Sequence, residues 1–133
     1  MTKGTTNAIL VADDDRVTLK VFQGIFRRTP YKVYFAKNGV EAIAKAKKSN
    51  IDLAFIDILM PEMDGFETML EWKKMQPQTN IIIMSTYNDD ETIRRAIKEG
   101  AYTYMFKPVN RIDVFSIVSK CMKNQNVNKM ISF

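Results

Sequence analysis

The chain has 133 residues, of which 46% are hydrophobic and 26% charged, and its net charge is +5. That length suits one domain (residues 1–133, core about 8–123) with a short polar tail at 124–133. The lone Cys121 excludes an internal disulfide and a thiolate zinc cluster. The absence of histidine excludes serine–histidine triads, histidine metal sites and phosphohistidine carriers within these residues. No apolar run approaches the ~20 residues of a membrane span and the start, MTKGTTNAILV, has no secretory apolar region, so a cytoplasmic protein without a membrane partner is expected.

Five short runs rich in β-branched residues predict strands at 8–12, 32–36, 53–56, 81–84 and 102–106. Segments of helical period separate them. The first carries Thr18, Val21, Phe22 and Ile25 at i, i+3, i+4 and i+7 and stops before Pro30. The second opens after the Asn38-Gly39 turn and carries Val40, Ile43, Ala44 and Lys47 at helical spacing. The third runs over about 66–75, and the fourth from Asp89 to a Gly100 cap. The fifth starts at the N-cap Asn110 and repeats apolar residues at Val114, Ile117, Val118 and Cys121. Strand–helix alternation five times over implies right-handed crossovers and a parallel sheet covered on both faces, one doubly wound α/β domain. From Lys107 onward five basic residues stand against Asp113 alone. That balance reads as a solvated helix face, with no direct nucleic-acid partner expected.

In a doubly wound sheet the site lies beyond the C-terminal strand ends. Here those ends carry Asp13-Asp14-Asp15, Asp57, Ser85-Thr86 and Lys107-Pro108. Three carboxylates at adjacent strand ends repel one another, and a hard cation such as Mg²⁺, held by carboxylates and waters, resolves the conflict. Asp15 is better placed as a helix cap. A carboxylate nucleophile, a cation, an amine and a hydroxyl are the parts needed for phosphoryl transfer.

The segments ILVADDD (9–15), IDILMPEMDG (56–65), IIIMST (81–86) and YMFKP (104–108) closely resemble the receiver domains of two-component response regulators, the family of the chemotaxis regulator. The resemblance implies a flavodoxin-like (βα)5 fold with a five-stranded parallel sheet in strand order 2-1-3-4-5. It implies phosphorylation on Asp57 and Mg²⁺ held by Asp13, Asp14, Asp57 and the backbone carbonyl of Leu59. Lys107 would be the phosphate-binding amine, Ser85 the switch hydroxyl and Tyr104 the switch aromatic. Thr86 stands where the family usually has Ala or Gly, which narrows access to the phosphoryl site. Ala12 replaces a larger aliphatic. Gly65 is expected to supply a special backbone conformation, and Lys107-Pro108 to be a cis peptide.

The same resemblance implies a sensor histidine kinase or histidine phosphotransfer protein as donor, and an output protein or a second copy as reader of the face built by helix four, strand five and helix five. Donor docking is expected along Val17, Lys20, Val21 and Gly24, where glycine permits close approach. The output face is expected to include Ile112, Phe115 and Met122 on the outer side of helix five. Catalysis would be confined to Mg²⁺-dependent self-phosphorylation from small donors and to self-dephosphorylation, slow because Leu59 and Tyr87 offer nothing to orient a water. The alternative is a haloacid-dehalogenase-like phosphohydrolase using Asp13, since Asp13-Asp14-Asp15-Arg16-Val17 fits its nucleophile loop. That reading needs an acidic pair after the lysine, and only Asp113 follows Lys107.

Overall fold

A computed structural model describes residues 7–122. Strands β1 (Ala8–Ala12), β2 (Lys32–Ala36), β3 (Leu53–Asp57), β4 (Asn80–Ser85) and β5 (Thr103–Phe106) alternate with helices α1 (Arg16–Phe26), α2 (Gly39–Ala46), α3 (Gly65–Met75), α4 (Asp90–Lys98) and α5 (Arg111–Cys121). All strand pairs are parallel and the order is β2-β1-β3-β4-β5, as expected. β1, β3 and β4 are buried along nearly their whole length, which is why they read as unbroken apolar runs. The chain crosses from one side of β1 to the other between β2 and β3, so the switch point lies between β1 and β3.

Two apolar layers sandwich the sheet. α1 and α5 pack Phe22, Ile25, Phe26, Val114, Phe115 and Val118 against Ile9, Val11, Phe55 and Met84. On the other face α2, α3 and α4 supply Ala42, Ala46, Phe66, Met69, Trp72 and Ala96 against Leu10, Ala54, Ile56 and Ile83. Every helix begins at a side-chain cap: Asp15, Asn38, Asp64, Asp89 and Asn110 each accept from an N–H of the first turn. α4 ends as expected at Gly100 (φ 116°), where Ala101 N–H donates to the Ala96 carbonyl at 2.9 Å, the bond of a Schellman motif.

Three expectations need correction, and in one helix the structure settles an orientation that the period left open. The inward face of α2 is Gly39, Ala42 and Ala46, whereas Val40, Ala44 and Lys47 are exposed and Ile43 is half-buried. Small residues are needed inside because α2 lies close to α3: a Cβ on Gly39 would collide with the Thr68 hydroxyl and the Met63 carbonyl. In α1 the core takes Phe26, while Val21 is exposed. In α5 Phe115 and Met122 are core residues in contact with the sheet; of the three expected on the outer side, Ile112 alone is there. Gly65 has no positive φ; its missing side chain matters because a Cβ would strike the Asp57 carbonyl and Ile58 Cα. The polar tail expected from 124 onward lies outside the described residues.

Candidate functional site

Parallel register brings the polar strand ends together. Ala12 pairs with Ile56, so Asp13 and Asp57 emerge side by side; Asp57 pairs with Met84 and Ser85 with Phe106, which aligns Ser85 and Lys107 at the same edge. One oxygen each from Asp13, Asp14 and Asp57 falls within 4.8 Å of the others. Asp13 is fully buried and Asp57 nearly so, while Asp14 is exposed. Asp13 Oδ1 accepts the Asp15 N–H at 2.9 Å and its Oδ2 accepts Lys107 Nζ at 2.8 Å. The same ammonium lies 3.6 Å from Asp57 Oδ1. Lys107 therefore bridges the two buried acids. Lys107–Pro108 is a cis peptide, as expected.

Charge follows from that crowding. Burial, with repulsion from Asp13 and Asp14, pushes the Asp57 carboxyl up to about 7, and Lys107 offsets this only in part. Burial opposes the charge on Lys107 as well, but the hydrogen bond it donates to Asp13 and the nearby carboxylates outweigh it and hold the amine above its usual range. The three carboxylates form an all-oxygen donor set with excess negative charge, which fits a hard divalent cation. The Leu59 carbonyl accepts no backbone hydrogen bond among the described residues, and the Leu59 side chain is exposed. Asp15 caps α1, accepting from Val17 N–H and from the Thr18 hydroxyl.

The hydroxyl side of the site is linked through the backbone of one residue, Tyr87. Ser85, 2% exposed, accepts the Tyr87 N–H at 3.0 Å, and the Tyr104 hydroxyl donates to the Tyr87 carbonyl at 2.6 Å. The Tyr104 ring is half-buried and meets Phe106 edge-on at 5.4 Å. Sequence reasoning singled out Tyr87 for its side chain and missed its backbone as the link between Ser85 and Tyr104; an i, i+2 spacing alone carries no sign of it. Thr86 is exposed and lines, with Thr18, Val21, Lys107 and Val109, a cleft of about 330 Å³ beside the acids.

The response regulator receiver domain family matches residues 9–130. This chain belongs to that family. The receiver domain is 39% identical over 102 residues to the transcriptional regulatory protein ZraR of Klebsiella oxytoca, covering 77% of this chain and 23% of that protein. It thus spans about a quarter of the length of the curated relatives it matches. Its fold superposes with a TM-score of 0.85 on the signal receiver domain of an HD domain-containing protein from Pseudomonas fluorescens Pf-5, at 25% identity, covering 97% of this chain and 96% of that one. It superposes with a TM-score of 0.81 on a chain of the CheX-CheY-BeF3-Mg²⁺ complex from Borrelia burgdorferi, at 28% identity, covering 88% and 90%. A receiver domain is a signalling module, and the dehalogenase-like reading is not supported. Asp13, the nucleophile in that reading, is fully buried, with one oxygen held by the Asp15 N–H and the other by Lys107. No helix among the described residues is long and apolar enough to cross a membrane.

Proposed function

We propose that this receiver domain accepts a phosphoryl group on Asp57 from a phosphohistidine of a sensor histidine kinase or phosphotransfer protein. The observation that carries the reading is the convergence of Asp13, Asp14 and Asp57 oxygens with the Lys107 ammonium bridging Asp13 and Asp57. These 133 residues contain no histidine, so the donor is another group acting on the site. An Asp57 carboxylate oxygen attacks phosphorus, the P–N bond of the donor breaks, and the imidazole leaves with that electron pair, giving an acyl phosphate.

Asp13, Asp14, Asp57 and the Leu59 carbonyl would hold Mg²⁺, which when bound supplies positive charge opposite the transferring oxygens. Lys107 supplies a second positive charge from the protein itself, and Ser85 and Thr86 offer hydroxyl donors to the phosphoryl oxygens. A turn of Ser85 toward those oxygens would release the Tyr87 N–H and free one side of the residue whose carbonyl Tyr104 holds. That movement is our reading of the switch, and its output is the face of α4, β5 and α5, offered to an output protein or a second copy. Exposed Leu59 and Tyr87 present no carboxylate or amide to orient a hydrolytic water, so self-dephosphorylation is slow in this reading. The donor docks along α1, where Val17 and Val21 are exposed and Gly24 faces open space. We take residues 1–133 as one domain and place it, by family membership, in the cytoplasm.

Mass spectrometry after incubation with acetyl phosphate and Mg²⁺ tests the acceptor. One phosphoryl group per chain is expected for the unaltered protein and for Asp15→Asn, and none for Asp57→Asn. Full labelling of Asp57→Asn at the same site refutes the assignment.

A further inference from the structure

The apolar stripe of α2 that does not enter the core lines a groove. Val40, Ile43, Ala44 and Lys47 recur at i, i+3, i+4 and i+7, and with Lys48 and Met63 they enclose about 370 Å³ on the outside of the sheet's β2 side. Val40 is 53% exposed although the core face of the same helix is complete without it. The rim is basic. Lys45 is already engaged, by the Phe35 carbonyl and near Glu41, but Lys47 and Lys48 have no ion-pair partner among the described residues. The neighbouring sequence reinforces this: residues 32–48, which span β2 and α2, contain five basic residues and the single acid Glu41.

We propose that this groove docks an acidic amphipathic protein segment, with apolar side chains between Val40, Ile43, Ala44 and Met63 and carboxylates on Lys47 and Lys48. The match is one of charge and shape together. A stripe at helical spacing presents anchors in the pattern that an apolar helix face or short turn reads, and unpaired lysines at its end select an acidic partner. A nucleic acid fits the charge but not the lining, which is aliphatic and has no aromatic ring on which a base could stack. An anionic bilayer fits the charge but is flat, whereas the apolar atoms here line a concavity. The site stands apart from the acceptor cluster and does not depend on the reading of Asp57.

The test is a fluorescence-anisotropy titration of the full chain with a labelled helical peptide carrying Leu at i, i+3, i+4 and i+7 and Glu between. The amide spectrum of the ¹⁵N-labelled protein is recorded alongside. Saturable binding is expected, with the largest amide shifts in residues 40–48 and at Met63. Val40→Glu, and separately the pair Lys47→Glu and Lys48→Glu, should each weaken it roughly tenfold. The pair Lys20→Glu and Arg28→Glu makes the same charge change in and just after α1 and should leave affinity within about twofold. The proposal is overturned if the α1 pair weakens binding as much as the α2 pair, since charge alone would then explain it. It is equally overturned if the shifts lie elsewhere, or if single-stranded oligothymidylate or phosphatidylglycerol vesicles bind at this groove and the peptide does not. All three variants alter exposed positions, and unchanged far-UV circular dichroism shows that each is folded.

Discussion

Replacing Asp57 by Asn should stabilise the receiver domain in chelator, and the gain should grow with pH. The carboxyl is pushed from 3.8 up to about 7, chiefly by burial and by its acidic neighbours. Between roughly pH 4 and pH 7 the folded state therefore holds a proton that the unfolded chain has released. Stability from this group is fully present below about pH 4, falls as pH rises, and is gone above about pH 7. A shift of about three units corresponds to about 4 kcal/mol, the ceiling on what the substitution recovers. Asn keeps the shape and removes the charge, so the variant loses this pH dependence while every other titrating group is shared. Urea denaturation of both proteins with EDTA, at about pH 5, 6, 7 and 8, reads the difference directly. The variant should gain up to about 1.5 kcal/mol at the lowest pH and up to about 4 kcal/mol at the highest. Mg²⁺ should narrow the gap, because ligand binding stabilises the folded wild type by RT ln(1 + [Mg²⁺]/Kd), about 2.7 kcal/mol at a hundredfold excess over Kd, and should close it at about a thousandfold excess. Parallel pH profiles for the two proteins in chelator would show that Asp57 ionises without penalty, and the electrostatic account of the cluster would fail.

Other consequences are simpler. Gly24→Ala should raise stability by up to about 1 kcal/mol, because nothing lies within 4 Å of the added methyl group on this exposed helical position. Gly65→Ala should lower it by about 1–3 kcal/mol and impair Asp57 labelling, since the methyl would press on the Asp57 carbonyl; in thermal melts, a fall for Gly24→Ala refutes the first and a rise for Gly65→Ala the second. Glu62 holds φ 71°, a left-handed conformation costly for a side chain, so Glu62→Gly should offset its own entropy cost and stabilise by about 1 kcal/mol; a lower urea midpoint would contradict this. Tyr104→Phe deletes the hydrogen bond to the Tyr87 carbonyl at a cost of about 1 kcal/mol, and should shift the amides of residues 86–89 while Asp57 labelling stays within about twofold. Unchanged amides there would mean that the hydroxyl anchors nothing.

What could be read from the sequence depended on how local the physics was. Strands β1, β3 and β4 announce themselves because burial on both faces makes them continuously apolar, and the caps Asn110 and Asp89 act within one turn. The acid cluster was legible as residue types at strand ends, since a parallel sheet delivers every C-terminal end to one edge. The Lys107 bridge was not, because it spans 94 positions and depends on two strands between its own and that of Asp13. The same limit explains Gly65: glycine read alone suggests an unusual φ, while the actual constraint is the Asp57 backbone eight residues back, seen only once the loop has folded over.

The orientation of α2 was not legible for a different reason. Helical period identifies which residues share a face but not which of two faces turns inward. α2 has one face of Val40, Ile43 and Ala44 and another of Gly39, Ala42 and Ala46, and hydrophobicity favours the first. Steric room decides for the second. Thr68 and the Met63 carbonyl leave no space for even a Cβ at Gly39, so a valine there could not be accommodated. The larger side chains are thereby turned outward, where Ile43 is half-covered and Val40 keeps 53% of its surface. A tight α2–α3 contact thus obliges this receiver domain to carry an apolar stripe in solvent beside unpaired lysines, a condition that a docked acidic segment would relieve.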